Sequence, residues 1–260
     1  MNQHGFASWH EINRSLKISQ PCTRLDSFWS FDNCRYDKGS FSCSDPNYIQ
    51  DCALPLLPLR NGRLNQTAFS FFLFTRDIAK GDLVGWIDSF LAEKQSTARG
   101  ATISLPANRL VDAMRGIYGV SDKILTMSLS ALLLGGRSSH PHWFNAGASM
   151  ITVDSLVHNF LHRTGILEEC GSSHRYGPLC YAPNGCADIL RAVASQIDAR
   201  RFNPLFPAVF PRFVQHAAWS YCAANGKAIC NGNRIDDREP CKVSYCHLFK
   251  DCRKIALKPQ

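Results

Sequence analysis

The apolar positions of this chain recur mostly at helical spacing. In residues 82–94, Leu83, Ile87 and Phe90 would share one face of a helix. Similar spacing begins at Leu64, and it continues in residues 108–117, 123–134, 150–167, 186–202 and 210–224. Segments in which apolar and polar residues alternate are scarce, so the pattern predicts a mainly α fold.

Polar connections separate these helices. Residues 1–62 are irregular and indicate loops or a small subdomain, and residues 135–149, 170–186 and the tail from Cys230 also read as loops. Asp154 is predicted at the N-cap of the helix that follows it, and Gly165 near the end of that helix.

The stretch 116–125, GIYGVSDKIL, lies between two of the predicted helices. A short turn containing glycine between two helices is typical of a helix-hairpin-helix unit. Lys123 begins the second helix of this unit. A lysine there is either a solvated residue or a reactive amine beside the hairpin.

Composition and charge narrow the class of protein. The chain has 260 residues, of which 45% are hydrophobic, enough for a substantial core. No apolar run reaches the roughly 18 residues of a membrane span, and the N-terminus lacks a secretory pattern. We therefore expect an intracellular protein, cytoplasmic and nucleoid-associated if bacterial, with no membrane partner.

The net charge of +8 is concentrated near the C-terminus. Residues 201–260 hold ten Lys and Arg against four Asp and Glu, whereas the remaining 200 residues hold 19 against 17. A basic surface favours a polyanion such as nucleic acid, although the same surface could serve solubility alone.

With VDSLVHNFLHRTGI following the hairpin, the chain resembles the endonuclease III branch of the helix-hairpin-helix DNA glycosylases. The family hairpin reads approximately LPGVGxK, and IYGVSDK places Lys123 on the nucleophilic lysine. The family VDTH motif matches VDSL and places the essential aspartate on Asp154. The resemblance extends from about residue 105 to 164 and partly over the last forty residues.

The resemblance implies a mainly α, two-lobed fold. Residues 63–153 would form a helical barrel lobe with the hairpin at 117–123, and residues 1–62 with 154–260 would form a second lobe. This second lobe would carry a cysteine cluster at 230–252.

The implied function is DNA base excision by an N-glycosylase with abasic-site lyase activity. Lys123 would attack C1′ of the sugar, and Asp154 would stabilise positive charge there. The partner would be double-stranded DNA with a damaged or abasic nucleotide, bound by a monomer.

The DNA-binding residues would be Gly119, Val120, Ser121 and Gln66. Gln66 also fits a plain helix start, and Ser121 replaces a family glycine, which predicts strain if its φ is positive.

The tail cysteines provide the predicted metal ligands. Cys230, Cys241, Cys246 and Cys252 follow a C-x10-C-x4-C-x5-C pattern. In many family members C-x6-C-x2-C-x5-C holds a [4Fe-4S] cluster, which we expect here, with zinc or free thiols as alternatives.

Other cysteines and histidines have no spacing that assigns a role. The histidines at 158 and 162 lie four residues apart, which is ligand spacing, and HPHW at 140–143 is a second candidate. The unassigned cysteines are Cys22, Cys34, Cys43, Cys52, Cys170, Cys180 and Cys186, and a second metal site among them is an open alternative.

Two other classes of function stay open. One is a non-catalytic protein that binds damaged DNA, although such a protein has no need for an amine at position 123. The other is a secreted protein built on disulfides, which would have few free thiols.

Overall fold

The computed structural model describes residues 25–37, 39–40, 42–47, 64–92, 106–230 and 236–258. These residues are mainly helical, which confirms the predicted class. Cys22, Cys52 and most of the predicted N-terminal subdomain lie outside the described residues. The chain divides into two compact units, residues 1–104 with 109–125 and residues 105–108 with 126–260.

The first unit combines a short β-hairpin with helices. A 3-10 helix at Phe28–Asn33 precedes the antiparallel strands β1, Tyr36–Asp37, and β2, Ser42–Cys43. Helix α1, Asn65–Leu73, continues as a π-helical turn at Phe74–Ile78, and α2 spans Leu83–Ala92. Most of α3, Pro106–Met114, and the start of α4, Asp122–Gly135, complete this unit.

Aromatic packing fixes the interior of the first unit. Phe74 is fully buried, and its ring meets those of Phe28 and Trp86 edge to face, with centroid distances of 5.5 and 5.2 Å. The Phe28 backbone N–H donates to Asp77 Oδ2 at 2.7 Å. This hydrogen bond and the ring contacts hold the irregular residues 25–33 against the end of α1.

Helices also form most of the second unit. After the 3-10 turn Gly136–Ser138 come α5, Pro141–Ser149, α6, Ser155–Thr164, and α7, Ile166–Glu169. A 3-10 turn at Pro178–Tyr181 leads to α8, Cys186–Ser195, and another at Ala199–Arg201 precedes α9, Pro211–Cys222.

The prediction of a loop over 135–149 was wrong, because α5 occupies most of this segment. Pro141 suits the first turn of a helix, and Trp143 is buried. Ser130 Oγ donates to the Gly147 carbonyl at 3.0 Å, which ties α5 to the end of α4. Residues 126–135 of α4 belong to the second unit together with α5. The predicted division into lobes at 63–153 and at 1–62 with 154–260 stays a prediction.

The second unit packs around α6. Helix α9 lies against α5, α6 and α8, and Val157 and Leu161 of α6 belong to the core that α6 shares with α8 and α9. The predicted ends of α6 are confirmed, since Asp154 is its N-cap and Gly165 closes it with a φ of 91°. Beyond Cys230, the described tail has no helix or strand, as predicted.

Within the described part of the chain, no helix is both long enough and apolar enough to cross a bilayer.

Candidate functional site

A tight turn joins α3 to α4 in the first unit. Gly119 has a φ of 73°, and a Cβ atom there would lie 2.8 Å from Thr67 Oγ1. The Tyr118 backbone N–H donates to Ser70 Oγ at 3.0 Å. A glycine is therefore required at 119 for its backbone conformation and for the close approach of α1.

Ser121 is not strained, contrary to the concern raised by its replacement of a glycine. The described non-glycine residues with positive φ are Lys80, Asn184, Ala228 and Lys254. Ser121 Oγ instead accepts a hydrogen bond from the Ile124 backbone N–H at 3.4 Å, and the Ser121 carbonyl accepts the Leu125 N–H at 2.9 Å. Ser121 thus caps α4, a role for which serine is well suited.

Lys123, the predicted nucleophile, is the second residue of α4 and is partly exposed. Among the described residues, none forms a hydrogen bond or an ion pair with its amine. The nearby acidic residue Asp122 is paired with Arg115. The amine is thus available for an external partner.

Asp154 belongs to the second unit. Its Oδ1 accepts the Val157 backbone N–H at 2.9 Å, so the carboxylate caps α6. The Tyr181 hydroxyl accepts from the Val153 N–H at 2.9 Å and donates to the Val153 carbonyl at 3.1 Å. These contacts hold the backbone next to Asp154 in place.

Gln66 lies in the interior of the first unit. Its side chain is 3% exposed, and its Nε2 lies 3.5 Å from Cys34 Sγ. Gln66 Oε1 is buried with no partner among the described residues. Contact between Gln66 and DNA would therefore require a conformation that exposes this side chain.

Four side chains of the second unit form a group that could hold a metal ion: His158, His174, Cys180 and Cys186. Their ligand atoms all lie within 4.8 Å of one another. His158 Nδ1 lies 3.6 Å from Cys180 Sγ and 3.5 Å from Cys186 Sγ. His174 Nε2 lies 3.4 Å from Cys186 Sγ.

Burial controls protonation in this His2Cys2 group. Desolvation, with a smaller effect of His174 and His162, lowers the pKa of His158 to about 4. His158 is therefore neutral near pH 7 and keeps a lone pair for a metal. Burial and the neighbouring Cys180 thiol raise the pKa of Cys186, because two thiolates would repel each other without a cation.

Backbone contacts orient the same group. His174 Nδ1 lies 2.6 Å from the Ser172 carbonyl, which places the ring proton on Nδ1 and leaves the Nε2 lone pair facing Cys186. Cys186 begins α8, and the backbone N–H at this helix N-terminus offsets only a small part of the rise in its pKa. Gly185 lies so close to the Leu179 carbonyl that a Cβ atom would collide with it.

The four cysteines predicted as metal ligands in the tail do not form a close group like the His2Cys2 group. Of the described residues, only the His2Cys2 group brings three or more potential ligands within 4.8 Å of one another. Cys230 and Cys241 are buried, and Cys246 and Cys252 are partly exposed. The 4.8 Å distance applies to ligands of a single ion, whereas the four cysteines of a [4Fe-4S] cluster bind different irons, so the cluster stays a prediction.

Cys222, which the tail pattern does not include, pairs with Cys230. A hydrogen bond from the Cys222 thiol, with help from the Arg163 charge, lowers the pKa of Cys230 to about 7. Burial, together with the nearby Cys230 and Cys241 thiols, raises the pKa of Cys252. Several thiols thus lie near one another around Arg163.

The basic tail is partly neutralised. Lys242 pairs with Glu239 at 2.5 Å, and Arg253 pairs with Glu168 at 2.9 Å and Glu169 at 3.2 Å. The Lys254 amine lies over the Phe249 ring. The exposed basic surface is therefore smaller than the sequence count indicates.

Comparisons with protein-family models, curated proteins and solved structures found no match for this chain. The family resemblance therefore rests on the residues of the hairpin and of the VDS motif.

Proposed function

We propose that this chain is a DNA N-glycosylase with abasic-site lyase activity. The observation that carries the proposal is the Lys123 amine, which lies in the first turn of α4, directly after the Gly119 turn, without a partner among the described residues. A lysine so placed could meet the DNA backbone where the hairpin binds it.

Hairpin geometry supports binding to phosphate. The backbone N–H groups of Gly119 and Ser121 donate to no described residue. Backbone N–H groups at a turn and a helix N-terminus can bind phosphate without reading sequence. This mode suits an enzyme that searches DNA for a rare nucleotide.

The proposed chemistry uses two side chains of the chain. The neutral Lys123 amine attacks C1′ of a nucleotide turned out of the stack, and the C1′–N bond breaks with its electron pair leaving on the base. The base takes up a proton from solvent, and the amine loses one. The Asp154 carboxylate would stabilise the positive charge that develops on the sugar.

Strand cleavage follows from the covalent intermediate. Opening of the sugar ring breaks the C1′–O4′ bond, protonates O4′ and gives a Schiff base to Lys123. Loss of a proton from C2′ then expels the 3′ phosphate by β-elimination, and water releases the lysine.

Borohydride trapping on DNA with an abasic site tests the proposal. We expect the intact protein to form a covalent adduct, and Lys123→Ala and Lys123→Arg to form none. Lys123→Arg keeps the positive charge and should retain DNA binding, so it separates chemistry from affinity. Lys250→Ala, an exposed tail lysine, is the matched control and should trap as the intact protein does.

The outcomes separate the two DNA-related functions. An adduct that survives Lys123→Ala, or no adduct with the intact protein, would reject the enzyme. Binding to abasic DNA without an adduct would indicate the non-catalytic protein. The same trapping on a panel of damaged bases identifies the base that is removed.

The proposed metal of the tail is a [4Fe-4S] cluster at Cys230, Cys241, Cys246 and Cys252, with zinc as the alternative. A brown preparation with visible absorption and about four irons per chain would support the cluster. A colourless preparation without iron would reject it.

A further inference from the structure

We infer that His158, His174, Cys180 and Cys186 bind one structural zinc ion. Three sulfur–nitrogen distances within the group match a tetrahedral site. Zinc bonds of about 2.3 Å to sulfur and about 2.0–2.1 Å to nitrogen place neighbouring S and N ligands about 3.6 Å apart. Three of the four sulfur–nitrogen distances of the group are 3.4, 3.5 and 3.6 Å, and the fourth is below 4.8 Å.

Hydrogen bonds alone account poorly for this arrangement. His158 Nδ1 has either one lone pair or one proton, yet two thiol sulfurs lie 3.5 and 3.6 Å from it. Only one of the two contacts can be a good S–H···N hydrogen bond. A cation at the centre of the group would satisfy both thiolates and both ring nitrogens.

The group is largely buried, as structural zinc sites are. His158 is 6% exposed, Cys180 and Cys186 are fully buried, and His174 is partly exposed. Four protein ligands complete the coordination of zinc and leave no position for a catalytic water. Two thiolates and two neutral imidazoles also balance the charge of Zn2+, so the buried complex carries no net charge.

The mixture of ligands favours one zinc ion over an iron-sulfur cluster. A Rieske centre uses two histidines and two cysteines, but binds the histidines to one iron and the cysteines to the other. Here one nitrogen of His158 contacts both thiols. A single ion, bound by that nitrogen and by both sulfurs, fits this arrangement.

The ion would join segments that have little regular structure to the core. His158 lies in α6, His174 in a loop, Cys180 in a 3-10 turn, and Cys186 at the start of α8. His158 is also one turn beyond Asp154. Zinc would thus fix residues 170–186 and the first turn of α6, whatever reaction the protein catalyses.

Metal analysis of the purified full-length protein tests the inference. We expect Cys180→Ser and His174→Ala to hold one zinc equivalent per chain fewer than the intact protein. Cys170→Ser is the matched control, because Cys170 is exposed in the same region and lies outside the group. Its zinc content should equal that of the intact protein. An unchanged zinc content in Cys180→Ser and His174→Ala would overturn the inference.

Spectroscopy of the intact protein covers the case in which the variants do not fold. Cobalt replacing zinc should give the intense visible d–d bands of a tetrahedral site and a thiolate charge-transfer band. These bands should be absent from Cys180→Ser and present in Cys170→Ser. No tetrahedral cobalt spectrum in the intact protein, or a Cys180–Cys186 disulfide found by mass spectrometry of the native protein, would overturn the inference. Neither readout depends on the trapping reaction of Lys123.

Discussion

Arg115 and Asp122 form a bidentate ion pair that joins the end of α3 to the start of α4. Arg115 Nε lies 2.9 Å from Asp122 Oδ1, and Nη2 lies 2.7 Å from Oδ2. Asp112 binds the same guanidinium at 2.9 Å. Asp122, the acidic residue next to Lys123, therefore pairs with Arg115.

The pair should contribute little stability, with a defined dependence on pH. Both side chains are more than half exposed, so Asp122→Asn should lower the free energy of unfolding by about 0.5 kcal/mol. The hydrogen bond from Arg115 lowers the pKa of Asp122, so this contribution is present above about pH 4 and is lost as the pH falls further. Urea unfolding at pH 7 and pH 3 measures the difference, which should be smaller at the lower pH.

Gly119→Ala should destabilise the fold by about 2 kcal/mol through the turn between α3 and α4. Alanine is strained at a φ of 73°, and its Cβ would approach Thr67 Oγ1 at 2.8 Å. Gly81→Ala separates the two causes, because Gly81 has a φ of 84° but no atom within 4 Å of a Cβ. We expect about 1 kcal/mol there. Equal losses for the two variants in urea unfolding would show that the Thr67 contact is unimportant.

Local pattern was sufficient to predict most helices and both ends of α6. The N-cap preference of Asp154 and the left-handed backbone of Gly165 act within one turn of the chain, and so they are visible in sequence. The sequence predicted a loop where α5 lies, because packing against the rest of the second unit, more than a local apolar pattern, determines which face of this helix is buried. Trp143 and Gly147 are buried, although the segment reads as polar and glycine-rich.

The metal group was visible only in part. The spacing of His158 and His162 is that of metal ligands, but in the structure the side chains grouped with His158 are those of His174, Cys180 and Cys186. Ligands separated by 16, 6 and 6 residues follow no short zinc motif, so only the folding of the loop onto α6 brings them together. His174 had no signal in the sequence. At Ser121 the family pattern was misleading. It predicted strain from a positive φ at this position, whereas the serine caps a helix.

Arg163→Ala should be strongly destabilising. Arg163 is 1% exposed, and its Nη2 lies 3.4 Å from Asp237 Oδ1. Removal of one member of a buried pair typically costs about 3–5 kcal/mol, and partial exposure of Asp237 favours about 3 kcal/mol. Lys258→Ala is the control, since Lys258 contacts the same carboxylate at 3.9 Å from an exposed position. It should cost under about 0.5 kcal/mol in the same unfolding experiment.

Removal of zinc should lower the thermal midpoint of unfolding. If the ion is bound at about 1,000 times its dissociation constant, it stabilises the fold by about 4 kcal/mol. For a chain of this size each kcal/mol corresponds to about 2–4 °C, so a chelator should lower the midpoint by about 8–16 °C. Cys180→Ser should already have the lower midpoint and should not respond to the chelator. A similar response in both proteins would locate the stabilising metal elsewhere.

Two substitutions at Asp154 separate its structural role from its chemical role. Asp154 Oδ1 caps α6 through the Val157 N–H, so Asp154→Ala should cost about 1 kcal/mol of stability. Asn is as good a cap as Asp, and Asp154→Asn should therefore retain stability. The amide carries no negative charge, so trapping of abasic DNA should fall by at least about tenfold in Asp154→Asn, the equivalent of about 1.4 kcal/mol. Full trapping by a stable Asp154→Asn would leave Asp154 with the capping role alone.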